Sequence, residues 1–139
     1  MDCGWLLRVS GVGLLIVLLL ASPSCGHDQQ LVSISVLPQG ATLTLTGPGQ
    51  SLSIQFTAIG SYIHPPESKD ITSRVVWSSD SPQVIDFNTP GSSGLATTTG
   101  TACGTNIGIL AKVYSRPSNP PSGSVVVGTS TVNVTITGC

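Results

Sequence analysis

From Leu31 onward, apolar and polar residues alternate in short runs, the period of a half-buried strand. Val32, Ile34 and Val36 alternate with Ser33 and Ser35. Pro38-Gln-Gly40 breaks this run, and Leu43 and Leu45 alternate with threonines in the next. An edge strand tolerates such a Pro because it needs fewer donors. Past the turn at Gly47-Pro-Gly49, Leu52, Ile54, Phe56 and Ala58 alternate with Ser53, Gln55 and Thr57, the most regular strand of the chain. Gly60 to Ser73 reads as a long polar connection carrying His64-Pro-Pro66, Glu67, Lys69 and Asp70. Its prolines favour an extended, non-helical path.

The central stretch, Arg74 to Val113, repeats the pattern with tighter punctuation. Val75 and Trp77 share one face of a strand, and Ser81-Pro82 turns the chain. Val84 to Phe87 and Leu95 to Thr99 are short strands separated by a turn at Thr89 to Gly94. Ile107, Ile109, Ala111 and Val113 share a face, with Lys112 and Tyr114 opposite. Ser115 to Ser124 is a Pro/Ser/Gly-rich hairpin loop carrying Arg116, and the last strand ends at Val132, Val134 and Ile136. No segment outside the N-terminal leader has a helical period. The expectation is an all-β domain over 31–139, an immunoglobulin-like sandwich of seven or eight short antiparallel strands. Trp77 is expected to anchor its core, since a Trp in an alternating strand buries a large apolar area. The competing role is a surface binding residue.

Residues 1–24 read as a cleaved signal peptide. Arg8 is the basic residue of the n-region, and Val12-Gly-Leu-Leu-Ile-Val-Leu-Leu-Leu20 is an h-region. It falls short of the roughly 20 apolar residues of a transmembrane helix. Ala21-Ser-Pro-Ser24 places small residues before Cys25. This arrangement resembles the lipobox of bacterial lipoproteins, in which the thiol of the cysteine after the cut carries diacylglycerol. Ser22 and Pro23 depart from that pattern. Plain secretion with Cys25 as a spare thiol, and an uncleaved anchor, remain the alternatives. Residues 25–30 then form a polar tether between lipid and domain. His27 within it lacks a second ligand at metal-binding spacing.

Composition narrows the function classes. Charged residues are 8% of the chain and the formal net charge is −1, which leaves no basic footprint for nucleic acid. The apolar fraction of 40% argues against disorder. After removal of the leader, Cys25, Cys103 and Cys139 remain. In an oxidising compartment three thiols leave one odd. Lipidation of Cys25 would leave Cys103 and Cys139 as a pair. Those two flank the last two strands, and in an antiparallel hairpin the start of one strand lies beside the end of the next. Strict alternation puts Cys103 in phase with Ile107 but Cys139 out of phase with Ile136, so the bridge needs a bulge, at Gly104 or Gly138. There is no nucleophile elbow, no phosphate loop and no calcium-loop spacing among Asp70, Asp80 and Asp86. No enzyme, metal or cofactor is expected.

Several pieces, taken in order, resemble a bacterial immunoglobulin-like domain of group 2 (BIG2). They are Ile34-Ser-Val-Leu-Pro38, Leu45-Thr-Gly-Pro-Gly-Gln-Ser-Leu52, Lys69-Asp-Ile-Thr-Ser73, Val76-Trp-Ser-Ser79, Gly94-Leu-Ala-Thr97 and the strand from Ile107 to Ala111. The Tyr62–Ser68 and Ser115–Ser124 loops and the two cysteines are departures. The resemblance implies an exported, non-catalytic surface module, used as spacer, stalk or adhesion tip. The expectation is a lipid-anchored structural or accessory domain of the cell envelope, on the outer membrane or cell surface if the cell has two membranes. The alternative is a module that binds an envelope protein or glycan through its loops, with Tyr62, Ile63, His64 and Arg116 as candidates, Tyr114 beside Arg116. A contiguous exposed patch joining Tyr62, Ile63 and Tyr114 would favour binding.

Overall fold

The computed structural model describes residues 29–87, 93–116 and 121–139. The leader 1–24, Cys25 and His27 lie outside these residues. The described residues are all β, in ten strands: β1 (Gln30–Leu37), β2 (Ala41–Leu45), β3 (Ser53–Gln55), β4 (Thr57–Ile63), β5 (Glu67–Asp70), β6 (Val76–Ser79), β7 (Ile85–Asp86), β8 (Leu95–Thr98), β9 (Gly104–Arg116) and β10 (Ser122–Ile136). They form sheets ordered β1-β4-β5, β2-β10-β9-β6 and β3-β8-β7. All three sheets contribute to one apolar core that includes Val36, Phe56, Ala58, Trp77, Ile85, Ala96, Ile109 and Val132.

Ten strands replace the seven or eight expected, for local reasons. The regular run from Leu52 to Ala58 divides at Phe56. Before it, β3 pairs with β8; after it, β4 pairs with β1 and β5. The Phe56 N–H donates to the Gly94 carbonyl at 2.8 Å, marking where the run changes partners. The polar connection after Gly60 is itself a hairpin, since β4 continues to Ile63 and β5 returns antiparallel to it. His64 at its turn has φ 61°. The loop after Ser115 is shorter than expected, because β9 runs to Arg116 and β10 starts at Ser122.

A second correction concerns direction. β2 runs parallel to β10, with Ala41 opposite Val132 and Leu45 opposite Ile136. Pro38 has no N–H to give a ladder. Past it the chain leaves β4 and reaches β10, where the Gln39 amide donates to the Thr129 carbonyl at 2.9 Å. A third correction is in β1. The register shifts between Leu31 and Ser33. Val32 is thereby thrown outward, and Leu31 takes the inward place the alternation gave to Val32. This is what one extra residue does to a period of two.

Candidate functional site

The Lys69-Asp-Ile-Thr-Ser73 and Val76-Trp-Ser-Ser79 segments form one structural joint. Asp70 accepts the Thr72 N–H at 2.8 Å. The Thr72 hydroxyl accepts the Ala58 N–H at 2.9 Å, and its carbonyl accepts the Trp77 indole N–H at 2.9 Å. Ile71 is buried between them. The hydroxyl and N–H of Thr72 hold the Asp70 carboxyl below the usual aspartate range. Trp77 is a core residue. Its ring stacks on Phe87 with centroids 5.5 Å apart and lies 6.2 Å from Phe56. A polar tip satisfied by a carbonyl and a ring packed on rings is how a Trp is buried at low cost.

Cys103 and Cys139 stand at disulfide distance, with Cα atoms 6.6 Å apart. The out-of-phase cysteines meet because the ladder between β9 and β10 slips: Val132 faces Ile107, but Val134 faces Gly104. The extra residue lies at Thr105–Asn106, not at Gly104. Asn106 takes φ 53°, which Asn tolerates better than most side chains. Its N–H donates to the Asn133 side chain at 2.8 Å. Past Ile136, Gly138 (φ 104°) turns the chain and the Cys139 N–H closes on the Ile136 carbonyl at 3.0 Å. Both cysteines are exposed, at the rim of the core.

Of the loop candidates, Tyr62 is buried, only 6% exposed. Lys69 Nζ lies 5.6 Å above its ring centroid. Lys69 also pairs with Glu67 at 2.9 Å and donates to the Gln29 side chain, which donates to Glu67 in turn. The Lys69 ammonium, with Gln29, keeps the Glu67 carboxyl below its ordinary range. Ile63 and His64 lie at the β4–β5 turn and Arg116 at the end of β9. With Tyr62 turned inward, no exposed patch joins Tyr62, Ile63 and Tyr114. Asp80 and Asp86 do not converge either. Asp80 accepts the Gly108 N–H and Asp86 that of Phe87. Among the described residues no group of His, Cys, Asp or Glu could hold a metal ion, and no helix is long and apolar enough to cross a membrane.

A concave apolar surface lies elsewhere, on the outer face of β6, β9 and β10. A cleft of about 520 Å³ is lined there by Val76, Val113, Tyr114, Pro121 and Val125, with Arg74 and Lys112. Pairing builds it: Val76 sits opposite Lys112, Lys112 opposite Val127, and Tyr114 opposite Val125. Val76 is 69% exposed and Val125 53%. No acidic side chain lines the cleft, and among the described residues the ion pair formed is that of Lys69 with Glu67. The signal in the sequence was Val125-Val126-Val127, apolar on both faces of a strand. A run of this kind reads equally as a strand buried on both sides. No protein-family model matches the chain, and no curated protein matches it.

Proposed function

We propose that the chain is a non-catalytic, immunoglobulin-like module of the cell envelope, exported by residues 1–24 and held to the membrane by lipid on Cys25. The observation that carries the fold assignment is the strand order. β1 pairs with β4 while its continuation β2 pairs parallel with β10. In this reading the run broken at Pro38 spans two layers of a sandwich, with the sheets of β1-β4 and β3-β8-β7 in one and β2-β10-β9-β6 in the other. Trp77 on β6 meets Phe56 of the first layer across the core, as expected of such a sandwich. A BIG2-like domain fits this order, with β5 and the Cys103–Cys139 bridge as additions. The envelope assignment draws its support from the leader, the Ser24-Cys25 junction and the pairing of the other two mature cysteines. The role is structural or accessory.

The test is the intact mass of the protein extracted from its native membrane, with and without reductant. The expected mass is that of a chain starting at acylated Cys25, two hydrogens lighter until reduced. An unacylated mass would remove the anchor and leave a secreted domain. A second reading, a module that binds an envelope protein or glycan, is favoured by the outer-face cleft. Burial of Tyr62 moves that reading from the β4–β5 turn to the sheet face.

A further inference from the structure

We infer that the outer face of β6, β9 and β10 rests on a membrane surface bearing anionic headgroups. Three observations carry this. First, Arg74, Lys112 and Arg116 stand on or beside this face. None is held by a carboxylate among the described residues, since the ion pair formed there belongs to Lys69 and Glu67. One acidic side chain shares this face: Asp80 lies against Gly108, four residues along β9 from Lys112 and outside the cleft. The other described ones are on different strands, Asp86 on β7 and Glu67 and Asp70 on β5. Second, the cations surround apolar and amphipathic groups rather than polar ones: Val76, Tyr114, Val125 and Val127 are all exposed. Lysine and arginine stems lie along apolar surface with their charge kept in water, and a Tyr suits the headgroup level.

The third observation is where the chain comes in. β1 and β2 run in the same sense as β10. An added Cβ on Gly128 would touch Ile34, Gln39 bonds Thr129, and Ala41 pairs with Val132. Four residues before Ile34, the chain enters at Gln30, near Ser124 and toward the Arg116 end of the β9–β10 ladder rather than its Gly104 end. That is also the end of the cleft where Pro121 and Tyr114 sit. Cys25 precedes Gln29 by four residues, so their Cα atoms are at most about 14 Å apart. A lipid on Cys25 would bring this end of the domain to the bilayer. The orientation rests on the envelope reading to that extent, and the charge complementarity stands without it. The same entry point favours headgroups over an acidic protein segment, which would have no reason to meet the domain at its tethered end.

Each Lys or Arg near an anionic surface strengthens binding about fivefold, so three give roughly a hundredfold. The test uses the mature chain, residues 25–139, as Cys25→Ser, so that neither the apolar leader nor an acyl chain contributes. Its partition onto one-to-one phosphatidylglycerol/phosphatidylcholine vesicles is compared with pure phosphatidylcholine at low ionic strength. The expected ratio is roughly a hundredfold, collapsing in high salt because screening removes it. Arg74→Glu with Lys112→Glu should lower the anionic partition at least about twentyfold, with the thermal midpoint retained. Lys69→Gln, on the other layer, should leave it within about twofold. Equal partition onto both vesicles, or indifference to the double reversal, would overturn the inference. So would binding to polyglutamate instead of vesicles with the same dependence on Arg74 and Lys112, which would assign the face to an acidic protein. The native mass reports on the acyl chain and the vesicles on the face, so either can fail alone.

Discussion

The two faces of β9 and β10 are built from similar residues and do different things. Inward, Ile107, Ile109 and Ala111 meet Val132 and Val134, all essentially without solvent contact. Outward, Tyr114, Val125 and Val127 are about half exposed. A Val therefore occurs at full burial and at half exposure on one strand. Apolar character alone does not locate a core; what lies across from it does. Inward, β1, β4 and the β3–β4 junction supply Ile34, Ala58 and Phe56. Outward, nothing described covers the valines, and the cations at the margin are unpaired.

Trp77 is where this contrast should be largest. Trp77→Ala removes the ring packed against both Phe56 and Phe87 and orphans the Thr72 carbonyl, and should cost about 3–5 kcal/mol. Thermal unfolding should show a midpoint lower by about 10 °C or more. A midpoint unchanged within error would mean the aromatic cluster is not the core. Next in size is the bridge. Replacing Cys103 and Cys139 by Ala opens a loop of sequence separation 36 and should cost about 3–4 kcal/mol on the chain-entropy model. The readout is urea unfolding with and without reductant. Reductant should shift the parent's midpoint and leave the double variant's alone.

Gly128→Ala sharpens the contrast within β10. The added Cβ would come within 2.6 Å of Ile34 Cγ2, on the inward face that packs against β1. Overpacking of this kind costs about 1–3 kcal/mol, while the same change at an outward position has no neighbour to strike. Equilibrium unfolding in denaturant measures it; stability equal to the parent's would mean β1 and β10 are less tightly opposed than the structure has them.

The inward phase of the long strands was legible in the sequence because a period of two survives wherever pairing is regular. Val75 with Trp77, and Val132 with Val134 and Ile136, are buried as that period requires. It failed at slips. Leu31 replaces Val32 because one residue bulges, and nothing in Leu-Val-Ser-Ile announces a bulge. The slip that aligns the cysteines falls at Asn106, since Asn133 happens to stand where its side chain can take the freed N–H. That is a contact 27 residues away, invisible to local pattern. β5 was hidden because Glu67-Ser-Lys-Asp70 is polar on both faces. The parallel pairing of β2 was hidden because alternation carries no direction. The cleft was missed because exposed and buried valines look alike in a sequence.

Asp70 gives a smaller effect with a definite sign. Its folded carboxyl titrates below its unfolded one, because the ionised form holds Thr72. The contribution is therefore fully present above the unfolded pKa and is lost as pH falls through the folded one. Stability should decline on acidification below about pH 4. Asp70→Asn should remove that part of the slope while leaving the neutral-pH fold intact. Glu67, shifted the same way, contributes in the same direction. A slope identical in parent and variant would show that the Thr72 joint does not depend on the charge.

The smallest effect belongs to the outward valines, and it tests the contrast most directly. Val76 neighbours Trp77 on the same four-residue strand, yet it is 69% exposed. Val76→Thr keeps the β-branch that a strand prefers and loses only partial burial. It should change stability by no more than about 0.5 kcal/mol, the usual range for surface positions. Val127→Thr should behave alike. A loss several times larger would mean that something covers this face in solution. If the loss grew with protein concentration, the cover would be a second copy of the chain, because association stabilises by mass action. If it did not, the outward face would be part of the core. A near-zero result at any concentration leaves the valines free for a partner outside the chain, and the three cations beside them name its charge.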